Sequence, residues 1–192
     1  MESNIFLTIF PVTIIAHALF ATIGVGATTA TDFLFFHFLK DFKISSSEEK
    51  IMRIMSRLLW IALIGLIATG ILIFFAKPEV YSVSSKFITK MTIVGCITLN
   101  GILLNGYLHP RLIKLSFDTA AYGYRAARIA FASGAVSLIS WYIAFILGSL
   151  RSLPFSTGLM IGVYACVLVG AIGMSQIMFM KYKKKWETET KS

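Results

Sequence analysis

Apolar residues run along this chain in five long blocks, separated by short stretches where lysine, arginine, serine and glutamate gather. The blocks fall at about residues 5–39, 58–76, 87–108, 126–150 and 153–180. Each is near or above the ~20 residues that carry a helix across bilayer hydrocarbon. A backbone in lipid must satisfy its own N–H and C=O groups, so each block reads as a helix. The first block exceeds one hydrocarbon width and is expected to tilt or project. Pro11 lies near its start, where a helix tolerates proline. The prediction is an all-α, polytopic membrane protein: five transmembrane helices in one bundle, forming a single domain over residues 1–192.

Composition strengthens this picture. The 192 residues are 57% hydrophobic and 14% charged, against about 25% charged in soluble domains. That excludes a soluble hydrolase, a Rossmann domain and a zinc finger. The net charge of +9 would point to nucleic acid in a soluble chain. Here the basic residues flank apolar blocks, as topology determinants do, and no nucleic-acid partner is expected. Lys40, Lys43, Lys50, Arg53 and Arg57 follow the first block. Arg111, Lys114, Arg125 and Arg128 follow the third, and Lys181, Lys183, Lys184 and Lys185 follow the fifth. The opposite side carries Lys77, Lys86, Lys90 and Arg151. The positive-inside rule then places the N-terminus outside and the C-terminus in the cytoplasm, in a multi-pass protein of the cell inner (cytoplasmic) membrane. The start MESNIFLTIF lacks the basic region of a cleavable signal peptide.

Local signals refine the elements. Ser45, Ser46 or Ser47 followed by Glu48 and Glu49 is a helix-start pattern, so helix two begins before its apolar block. Cys96 and Cys166 lie inside apolar blocks and offer no disulfide framework. Trp141 and Tyr142 read as interfacial belt residues. Gly158 and Gly162 form a GxxxG in helix five, a contact surface within the chain or between copies in a homo-oligomer. The methionines of GMSQIMFMK read as lipid-facing rather than copper-binding.

The candidate chemistry lies in the few polar residues of the spans, because ionisable groups in lipid are costly. The chain has three histidines, His17, His37 and His109. At 100° per residue, His17, Ala21, Gly24, Thr28, Thr31 and Asp32 share one stripe of helix one. Small residues such as Gly24 let another helix or a flat cofactor approach the backbone. In helix three, Thr98, Gly101, Asn105 and His109 share a stripe, and Asn100 adds a second amide that suits bridging between helices. His37 and His109 fall at similar depth, the arrangement of a bis-imidazole haem or part of a metal site. Each is also readable as an interfacial residue at a helix end. Lys86 and Lys90 open helix three near the depth of His17, where they snorkel to the interface, pair with a haem propionate or, less commonly, ligate iron. Neither a P-loop, an HExxH nor a nucleophilic triad occurs.

The segments IIAHALFATIGVG, LLWIALIGLIATGILIFF and KFITKMTIVGCITLNGILLNGYLHPRL together resemble the copper-resistance D-type membrane domain. More loosely, they are similar to the bacterial membrane protoporphyrinogen oxidases. The resemblance covers about residues 12–115, the first three helices. It implies b-type haem held through the helix-one histidine, here His17, with the lysine opening helix three, here Lys90, also important. The aromatic-rich motif that follows this histidine in the oxidases is replaced by ATIGVGATTATD. His37 and His109 have no counterpart in that pattern.

The leading expectation is a haem-binding membrane protein, a small b-type cytochrome for electron transfer or redox chemistry. His17, His37 and His109 are its candidate ligands, with His17 and His109 the iron candidates. Lys90, Gly24 and Asn105 would line the haem, and Asp32 would serve a proton path or support a ligand. Membrane lipid, a quinone or a redox protein are the expected partners. The alternatives are a copper or other small-solute permease, and a cofactor-free membrane subunit.

Overall fold

The computed structural model describes residues 5–38, 45–108, 120–150 and 153–189. His109, Lys40, Lys43, Arg111, Lys114 and Arg151 lie outside the described residues. Within them the chain is helical: α1 (Ile5–Phe38), α2 (Ser46–Ala76), a short α3 (Pro78–Ser82), α4 (Ser85–Leu103), α5 (Ala120–Ser149) and α6 (Thr157–Glu189). Five of these are long and apolar enough to cross a membrane. Their large apolar side chains face outward in number; Val12, Phe33, Leu99 and Met174 are each at least 70% exposed. Water would not tolerate so continuous an apolar surface, and lipid does.

The helix limits follow local chemistry. The Ser45 hydroxyl accepts from the Glu48 N–H, and the Glu48 carboxylate accepts from the Ser45 N–H at 2.7 Å. This capping box starts α2 well before its apolar block, as the serine–glutamate pattern predicts. Arg53 pairs with Glu49 on the next turn. α1 runs unbroken through Pro11 and through Gly24–Val25–Gly26. After Leu103, α4 widens into one π-helical turn, Leu104–Leu108. α6 continues past the apolar block into the lysine-rich tail, where Lys183 and Glu187 pair one turn apart.

α1 packs along α2, α5 lies between α4 and α6, and α1 crosses α5. The main core gathers Leu63 and Leu66 of α2, Ile93 and Ile97 of α4, Trp141 of α5 and Tyr164 of α6. A second, aromatic core forms near the Ser45 end, where Phe131 meets Phe35, Phe36 and Phe179 with centroids 5.4–5.7 Å apart. Trp141 corrects the belt reading: it is 3% exposed and inserted against Gly24. A small residue on α1 makes room there for a ring that apolar packing draws inward. Tyr142 stays exposed and shares a hydrogen bond with Thr29 at 3.1 Å.

Several polar residues in the spans are hydrogen-bonded. Thr13, Thr89 and Thr98 return their hydroxyls to the carbonyl four residues back. Buried Asn100 donates from Nδ2 to the Ser133 carbonyl of α5 at 2.9 Å, the interhelix bridge expected of a membrane amide. Such bonds contribute about 1 kcal/mol in membrane proteins. Asn100→Leu is therefore expected to lower unfolding stability in detergent by about that amount. Denaturant titration followed by circular dichroism measures it, and an unchanged midpoint would show the bridge to be neutral.

Candidate functional site

The α1 stripe faces the bundle as predicted, but its two ionisable ends serve separate places. His17 stands against α2. Its Nδ1 lies 2.9 Å from Thr69 Oγ1, and its ring edge packs beside Gly70. The Thr69 hydroxyl directs its single proton to main chain, to the Gly65 carbonyl at 2.7 Å and the Leu66 carbonyl at 3.2 Å. It therefore presents a lone pair to the imidazole, and Nδ1 carries the proton. The network assigns the lone pair to Nε2. A metal-ligating histidine is oriented in this way, one ring nitrogen donating to a fixed acceptor while the other is presented as ligand.

Lys90 of α4 is partly buried and lies within electrostatic reach of His17. Its Nζ packs 3.7 Å from the position a Cβ would take at Gly148. It has no hydrogen bond or ion pair among the described residues. Lys86 differs: its ammonium donates to the Leu150 carbonyl at the C-terminal end of α5, where the helix dipole favours a cation. The sequence grouped these two lysines; the structure gives one a partner and leaves the other unpaired among the described residues, within electrostatic reach of the histidine.

His37 lies apart from this arrangement. It is exposed at the last turn of α1, with its ring edge toward Phe38. Twenty residues of unbroken helix, about 30 Å, separate it from His17, so the two cannot share an iron. Its pairing with His109 falls outside the described residues. Among those residues no group of three or more His, Cys, Asp or Glu side chains is placed to hold a metal ion.

Asp32 and Asn105 come together elsewhere, at a cavity of about 140 Å³ between α1, α2, α4 and α5. The π-helical turn carries Asn105, whose Oδ1 accepts from the Ser56 hydroxyl at 2.6 Å. Thr28, Asp32, Trp60, Gly101, Ser137 and Trp141 also line the cavity. Asp32 Oδ1 approaches the backbone of Gly134, 3.3 Å from where a Cβ would stand. Thr28 Oγ1 is buried with no hydrogen-bond partner among the described residues. Sequence reading did not find Trp60. It did hold a signal: Met52, Ser56, Leu59, Trp60 and Leu63 follow one helical stripe of α2, which all line this cavity. Gly24 packs against Trp141 rather than beside His17. Gly158 and Gly162 face outward, with no atom within 4 Å of either Cβ position. Their GxxxG therefore makes no contact within the described chain.

No family model, curated protein or solved structure matches this chain.

Proposed function

We propose that the chain is a haem-binding integral membrane protein, a small b-type cytochrome for electron transfer or redox chemistry. One observation carries the reading: an imidazole whose Nδ1–H is fixed on Thr69 presents Nε2 as a ligand, with a partly buried Lys90, unpaired among the described residues, within electrostatic reach. The donor set suits haem better than a bare ion. A porphyrin brings four nitrogens of its own, so one or two protein donors suffice, whereas a protein-only site needs the cluster of ligands that the described residues lack.

In this reading His17 holds the iron and Lys90 faces a propionate. Thr69 keeps the imidazole in the required tautomer. Gly70 keeps the flank of the ring free of a side chain. Bound haem supplies one-electron chemistry. The apolar flanks of α1 and α2 exclude water. A quinone in the bilayer or a redox protein is the electron partner. The charge bias of the loops places the N-terminus outside and the C-terminus in the cytoplasm of a multi-pass inner-membrane protein. The open face at Gly158 and Gly162 suits a second copy of the chain.

The visible spectrum of detergent-purified protein, expressed with ample haem, tests the proposal. The expected result is a Soret band, with sharp α and β bands after dithionite. A featureless spectrum would favour the permease and subunit readings, neither of which calls for a chromophore.

A further inference from the structure

The cavity beside Asp32 takes no part in the haem reading. It opens along α1 from residue 28 to residue 35, and Asp32 stands about 22 Å from His17 at the α-helical rise. We propose that this cavity binds a small lipophilic amine as its ammonium ion. Among the described residues, Asp32 is the one ionisable side chain in the wall. Its carboxyl has no ion pair or hydrogen bond among the described residues. A carboxylate at membrane depth is costly without a counter-charge, and a cationic ligand supplies one.

The rest of the wall fits the same occupant. Trp60, Trp141 and Phe35 offer aromatic rings, whose faces attract ammonium ions and not anions. Thr28 lies one helical turn before Asp32, on the same face. Thr28 also lines the cavity, its Oγ1 is buried with no hydrogen-bond partner among the described residues, and the residue is 1% exposed. That oxygen can accept a second ammonium hydrogen. Leu59, Leu63 and Ile97 make the remainder apolar. A cavity near 150 Å³ holds a benzene-sized molecule, which sets the size of the amine. A divalent metal would need further carboxylates or imidazoles, and among the described residues none lines the cavity besides Asp32.

Benzylamine is the probe, and benzyl alcohol is its neutral counterpart of equal size. Binding is measured by equilibrium dialysis against nanodiscs carrying the full chain, with empty nanodiscs subtracted. This readout is independent of haem. The expected result is saturable binding of benzylamine at least tenfold tighter than benzyl alcohol. Asp32→Asn should abolish that preference while weak binding of both compounds persists. Thr28→Val should weaken the amine severalfold and leave the alcohol unchanged. No saturable binding, equal binding of both compounds, or a preference that survives Asp32→Asn overturns the proposal. The wild-type preference decides the matter should the Asp32 variant fail to insert.

Discussion

Replacing His17 with alanine is expected to strip haem from a chain that still folds. His17 sits on the side of α1 that meets α2, where its ring meets the Thr69 hydroxyl at 2.9 Å and the main chain at Leu66. Alanine there leaves the Thr69 hydroxyl bonded to its own main chain, so little structure depends on the imidazole. The loss should therefore appear in the spectrum and not in the helical circular dichroism. Thr69→Val is the more discriminating change. It keeps the shape and removes the acceptor that fixes Nδ1–H. Loss of such an orienting partner typically costs 10–100-fold in affinity, so haem retention should fall by about that range. Thr69→Ser restores the hydroxyl and should restore retention. His37→Gln should change nothing at the His17 site, because that ring is exposed about 30 Å away along the helix. Haem retained at wild-type level in His17→Ala would remove His17 as the ligand.

Gly24→Ala should give the largest stability loss of any single methyl addition in α1. A Cβ there would stand 2.1 Å from Cζ3 and 2.3 Å from Cη2 of Trp141. Trp141 belongs to the main core and is 3% exposed. Its ring can yield only by repacking α2 and α4 or by pushing α1 from α5. Overpacking of this kind costs about 1–3 kcal/mol. Gly26→Ala is the internal control, since nothing lies within 4 Å of its Cβ position. Alanine is the better helix former by about 0.5–1 kcal/mol, so Gly26→Ala should be neutral or stabilising. Thermal unfolding in one detergent should separate the pair, Gly24→Ala melting lower and Gly26→Ala at or above wild type. Equal melting temperatures would mean that the Gly24–Trp141 contact does not hold the helices together.

The elements of this fold are largely written in local sequence. Five apolar blocks suffice to place five helices, because in lipid no other backbone satisfies itself. The cap of α2 is likewise legible, since Ser45 and Glu48 are three residues apart. The inward stripe of α1 follows from helical periodicity, and its Gly24 and Thr28 are buried. What a periodicity cannot carry is the partner across the gap. Trp141 looks like a belt residue until Gly24 is seen opposite it. Thr69 is legible only as part of the Thr-Gly that ends helix two, and its role as a partner appears when His17 is set against it. Asp32 and Asn105 lie on helices far apart in sequence, and their shared cavity depends on how α1, α2, α4 and α5 cross. The π-helical turn escaped for another reason: one extra residue per turn changes which face Asn105 presents, and Leu104–Leu108 carries no residue that forces it.

The most direct test of the central claim uses a chain in which His17 is the only histidine. His37→Gln and His109→Gln together produce it. The protein is expressed with ¹⁵N-imidazole histidine, purified in its ferric form and measured by pulsed electron paramagnetic resonance. A ¹⁵N hyperfine coupling from a nitrogen bound to the haem iron is the predicted result. Haem present in full amount without that coupling would contradict ligation through His17.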